Sequence, residues 1–106
     1  MYRGLLLEDL GRFDEGRAEY QKAAKLAAES GDRGREFTAL TNLAASYAKV
    51  GESRKALQSF QELLKRTTEW GNLAMVGSTH NNLGNQLLRL GRAAEALPHF
   101  FAALST

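Results

Sequence analysis

Two histidines, His80 and His99, a few adjacent carboxylates and a cluster of asparagines are the residues of this 106-residue chain whose types and spacing suggest chemistry. A catalytic or metal centre needs more: a nucleophile beside a base, facing carboxylates, or three or four ligands brought together. No Cys is present to complete a zinc site, and the two histidines fall on different helical segments. His80 takes a core-facing position, which predicts a hydrogen-bonded packing role. The pairs Glu8 with Asp9 and Asp14 with Glu15 stand beside turns and helix starts, where the helix dipole or solvent accounts for them. Gly31-Asp32-Arg33-Gly34 lacks the preceding strand and the Lys-Ser/Thr ending of a phosphate loop. These residues predict no catalytic site, metal or cofactor. Asn81, Asn82 and Asn85 are more informative, because Asn is a poor helix former and solubility alone favours Glu, Lys or Gln.

Composition narrows the setting. With 43% hydrophobic and 25% charged residues and a single Pro, the chain reads as one globular domain over residues 1–106. A formal charge of +2 demands no nucleic acid partner. Lys49, Arg54, Lys55, Lys65 and Arg66 concentrate basic charge, but Glu52, Glu62 and Glu69 interrupt it and no exposed aromatics alternate with it. The longest aliphatic run, Leu5-Leu6-Leu7, falls far short of the ~18 residues of a membrane span. No membrane association is expected, and the cytoplasm is the expected location.

The elements that position these residues come from an internal repeat. A shift of 40 positions aligns Gly11, Gly51 and Gly91, pairs Tyr20 with Phe60 and Phe100, Leu7 with Tyr47 and Leu87, and Gly4 with Ala44 and Gly84. Phe37, Leu40, Leu43, Ala44, Tyr47 and Val50 recur at helical intervals, predicting a helix over 33–50 that Gly51 ends. Ala56, Leu57, Phe60, Leu63 and Leu64 predict a second over 53–70, ended by Gly71. Asp32 and Asn72 stand at N-cap positions. The expected class is all-α, with a partial repeat over 1–31, a full one over 32–71 and a third over 72–106 whose second helix is short. Pro98 predicts a kink or an irregular turn in that last helix.

The residue types at these offsets resemble the tetratricopeptide repeat family. Its pattern of Leu-Gly then Tyr in the first helix, and Ala then Phe four residues later in the second, is met by Leu43-Ala44, Tyr47, Ala56 and Phe60. It is met again by Leu83-Gly84, Leu87, Ala96 and Phe100. The chain departs from it in its longer period, in Leu40 and His80 at the first aromatic position, and in Thr68 where a Pro is expected. The resemblance is to longer-helix variants, and implies a right-handed superhelical stack of antiparallel helix pairs, a TPR-like α-solenoid of about two and a half repeats. It also implies that first-helix positions hold a peptide.

Around the first helices, Thr38, Asn42, Ala45 and Lys49 fall opposite the core side, as do Ser78, Asn82, Asn85 and Arg89, with Asn81 at the edge. Stacked hairpins would set the two polar stripes side by side on a concave wall. Asn carries donors and an acceptor for a peptide backbone, and Lys49 and Arg89 suit acidic side chains or a carboxylate. The expected function is a non-catalytic scaffold holding an extended, acidic peptide. A rival is self-association: Leu5 and Leu6 on one side, and Leu97, Phe101 and Leu104 on the other, form apolar stripes that a solenoid would bury against further repeats or another copy. A third reading, a regulatory segment of a larger signalling protein, rests on the resemblance alone.

Overall fold

In a computed structural model, which describes residues 2–105, six helices follow one another. They are α1 (Tyr2–Asp9), α2 (Phe13–Glu29), α3 (Arg33–Lys49), α4 (Ser53–Trp70), α5 (Leu73–Arg89) and α6 (Ala93–Ser105). Among the described residues there is no strand. The helices end where local chemistry ends them. Gly11, Gly31, Gly51, Gly71 and Gly91, one every 20 residues, all have φ between +69° and +81°. A side chain at that φ would be strained, so glycine supplies the left-handed residue that turns the chain. At Gly31 the closure is complete: its N–H donates to Ala28 O at 3.2 Å and the Asp32 N–H donates to Ala27 O at 2.9 Å. The side chain of Asp32 then caps α3 by accepting from Arg35 N at 3.0 Å, and Asn72 caps α5 from Met75 N at 3.0 Å.

The helices fall into two compact units, Met1–Gly51 and Glu52–Thr106. The division lies within the second sequence repeat, between its two helices. In the first unit α2 packs against both α1 and α3, and the buried apolar residues are Leu7, Tyr20, Ala24, Ala27, Ala39 and Ala44. In the second α5 packs against both α4 and α6, with Ala56, Leu57, Phe60, Leu63, Leu83, Leu87 and Ala96 buried. Small residues set the closest approaches. A Cβ on Gly84 would stand 2.6 Å from Phe100 Cε1, and one on Gly4 would stand 2.6 Å from Tyr20 Cε1. The aromatic ring fills the space that the missing side chain leaves.

Of the two outcomes expected at Pro98, the irregular turn does not occur, and the helix continues to Ser105. Pro98 and Ala94 are both exposed, so water replaces the one donor the proline removes, and the ring points away from the packed side.

Candidate functional site

An array of hydrogen-bonding side chains at helical spacing lies on α5. At ~100° per residue, Ser78, Asn82, Asn85 and Arg89 fall within one narrow arc with Asn81 beside it. The opposite arc carries the buried Leu83 and Leu87. Ser78, Asn81, Asn85 and Arg89 are exposed and Asn82 is half-buried. Among the described residues, no hydrogen bond or ion pair occupies any of the five. The face therefore presents four neutral donor–acceptor groups and one permanent cation, held on a helix whose other side is packed.

The equivalent face of α3 is more committed. Thr38 Oγ1 donates to Gly34 O at 3.0 Å within its own helix. Asn42 is half-buried and engaged in an interaction of its own. Lys49 places Nζ 3.2 Å from Glu8 Oε1. Its charge is thus balanced within the first unit, and Arg89 has no counterpart to that pairing.

Glu8 departs from its sequence reading. It is only 6% exposed, not a solvent or dipole residue beside a turn. Tyr20 Oη donates to Glu8 Oε1 at 2.6 Å, and Lys49 donates to the same oxygen. Burial pushes the carboxyl up, but hydrogen bonds from Tyr20, Ser46 and Lys49, with the charge of Lys49, outweigh it and hold Glu8 below its ordinary value. Burial and the Glu8 carboxylate push the Tyr20 phenol far up, so it stays a donor. The network extends through Arg17, whose Nη1 donates to Ser46 Oγ at 3.3 Å and whose guanidinium lies 4.9 Å from the Tyr47 ring centroid. Three helices are tied together through one carboxylate. The signal was Tyr20 itself: where Phe60 and Phe100 stand in the other repeats, a buried hydroxyl requires a partner.

His80 is a hydrogen-bonded packing residue, as its position implied, and its partner is His99. The two Nδ1 atoms lie 2.9 Å apart, with the rings tilted by 36°. One ring must donate and the other accept, so the contact tolerates at most one proton on the facing nitrogens. Burial, then the neighbouring His99, lowers the His80 pKa from its usual value. Two imidazoles fall short of the three or four protein ligands of a zinc site, and among the described residues no group of three or more His, Cys, Asp or Glu gathers to hold a metal.

The basic cluster reads as a solvated surface. On α4 a shallow depression is lined by Glu62, Lys65, Arg66 and Glu69, two charges of each sign, and Lys55 Nζ lies 3.6 Å from Glu52. Among the described residues no helix is long and apolar enough to cross a membrane. The apolar candidates Leu5, Leu6, Leu97, Phe101 and Leu104 are all exposed, whereas Leu7 is buried.

Comparison with known proteins bears on these surfaces. A family model described as a tetratricopeptide repeat matches residues 1–69, and a second of the same description matches residues 77–100. No curated protein matches the chain.

Proposed function

Because this chain belongs to the tetratricopeptide repeat family, whose repeats generally mediate protein–protein interactions, we propose that it is a non-catalytic scaffold that binds an extended, acidic peptide. The peptide lies along the outward polar face of α5, gripped by Ser78, Asn81, Asn82 and Asn85 through its backbone and by Arg89 through a carboxylate. On α3 the equivalent Thr38 and Asn42 are already engaged, and the charge of Lys49 is met by Glu8. The chain works as a soluble protein of the cytoplasm.

The observation that carries this reading is the uncommitted state of the α5 face. Five polar side chains at helical spacing have no partner among the described residues, and three of them are Asn, a residue that helix propensity alone disfavours. Paired amide groups satisfy an extended backbone whatever its side chains, and a guanidinium recognises a carboxylate in a two-pronged geometry. Titration of the chain with a library of acidic peptides tests the assignment. Asn82→Ala combined with Arg89→Ala weakens binding without lowering the melting temperature, because neither side chain packs in the core. Equal affinity in the double variant rejects the assignment to this face of α5.

A further inference from the structure

The α5–α6 hairpin holds two titratable rings against each other where the preceding repeat has none: His80 and His99 stand at the positions of Leu40 and Ser59. Their Nδ1 atoms are 2.9 Å apart and their ring centroids 5.1 Å. The difference is close to the two centre-to-corner distances of the rings, so the nitrogens face each other nearly head-on. Three protonation states then differ in what the contact can do. With both rings neutral, one Nδ1–H donates to the other Nδ1. One added proton keeps that bond, because the imidazolium donates and the neutral ring, carrying its hydrogen on Nε2, accepts. A second proton turns both facing nitrogens into donors and sets two like charges against each other at contact distance. Nothing beside the pair offsets that charge. Glu95, one turn before His99 on α6, has both carboxylate oxygens engaged by Arg92. Arg89, the other charged residue of α5, lies on the outward arc. On α4, Glu62, Lys65, Arg66 and Glu69 line a depression of their own, and Arg54 and Lys55 are exposed.

We propose that His80 and His99 form an acid-operated latch, which holds α6 on α5 while the pair carries at most one added proton and releases it at the second. The place of the pair in the packing supports this. Phe100, next to His99, fills the space beside Gly84, so a push between the two rings acts at the seam where α5 and α6 approach most closely. Both rings are half-buried, which shields the bond yet leaves protons a route in. Burial and the neighbouring His99 lower the His80 pKa, the direction that a resisted second proton requires. The latch does not depend on what covers the far side of α6. Glu19 and Ser59, at the position of His99 in the earlier repeats, are also half-buried, although α2 and α4 each pack against a following helix. The sign of the response is fixed: the released pair takes up protons below its ordinary value of about 6.5, so acid favours the open hairpin.

Amide hydrogen exchange of the full chain between pH 7.5 and pH 5, corrected for the intrinsic pH dependence of exchange, tests this helix by helix. In the wild type the protection of α6 falls by more than about threefold, and by no more than about tenfold per pH unit for the one proton concerned, while α4 keeps its protection. His99→Gln retains a hydrogen-bonding partner for His80 but takes no proton, so α6 stays protected down to pH 5. His80→Leu combined with His99→Ser, which installs the residues of the preceding repeat, also gives an α6 whose protection is flat with pH. Circular dichroism at pH 7.5 checks that both variants fold. Wild-type protection of α6 that does not change with pH overturns the proposal. So does an equally steep loss in His99→Gln, which would trace the response to burial of His80 alone. Parallel loss of protection in α4 and α6 overturns it as well, since the second unit would then be opening as a whole.

Discussion

Replacing Tyr20 by Phe removes one oxygen atom from the centre of the first unit and leaves the packing otherwise intact. The lost interaction is the 2.6 Å hydrogen bond to Glu8, whose carboxylate is nearly inaccessible to water. A hydrogen bond to a buried charge contributes about 1.5–3 kcal/mol. Ser46 and Lys49 still serve the carboxylate, so the expected loss at pH 7 is about 2 kcal/mol, near the lower part of that range. Urea denaturation followed by circular dichroism reads it as a lower midpoint with an unchanged slope. The pH dependence makes the test sharper. In the folded wild type Glu8 titrates below its ordinary 4.5, so its contribution is complete above the unfolded value and is lost as pH falls through the folded one. In the Phe variant burial pushes the carboxyl up against weaker opposition, so less stability is lost on acidification. The two stability curves then converge as pH falls through the folded value of Glu8. Parallel curves, or a variant as stable as wild type at pH 7, would refute the claim that Tyr20 holds a charged Glu8.

Other substitutions probe separate parts of the account. Gly84→Ala drives a Cβ into Phe100; overpacking of about 1–3 kcal/mol exceeds the helix-propensity gain of about 1 kcal/mol, so thermal unfolding shows a net loss. Gly34→Ala, whose Cβ meets nothing closer than 3.6 Å, stabilises by about 0.5–1 kcal/mol in the same assay. Lys49→Ala leaves Glu8 with fewer donors and lowers stability at neutral pH, whereas Arg89→Ala leaves the denaturation midpoint unchanged and weakens peptide binding. His80 has a lowered folded pKa, so the unfolded chain gains its proton first and wild-type stability falls as pH drops below about 6.5. His99→Gln removes the neighbouring imidazole charge and reduces that fall, measured as melting temperature between pH 7.5 and 5; an unchanged slope would separate the pair from the pH response.

Much of this fold is written in short-range chemistry. The turn glycines, the Asp32 and Asn72 caps and the apolar periodicity of α3, α4 and α5 need only neighbouring residues, and the helices begin and end within two residues of those signals. The outward face of α5 follows from the same periodicity, because Leu83 and Leu87 fix its opposite side. The Glu8 network does not follow, since it depends on α1, α2 and α3 converging and breaks the repeat: the positions equivalent to Glu8 are Ala48 and Leu88. The histidine contact was hidden differently. Each His lies on its own helix, and the close approach of Gly84 to Phe100 across the α5–α6 turn brings position 80 near position 99. Pro98 misled because the cost of a proline depends on what its missing donor leaves behind, and here that is solvent.

The central claim is that the polar face of α5 is the surface on which a partner peptide lies. Amide chemical shifts of the uniformly labelled chain, followed while an acidic peptide is added, report the contacted residues without any substitution. The account predicts that Ser78, Asn82, Asn85 and Arg89 move together and saturate at one affinity, with the side-chain amides of Asn82 and Asn85 among the largest changes. Shifts confined to α4 around Glu62 and Lys65, or to the Leu97 face of α6, would contradict it.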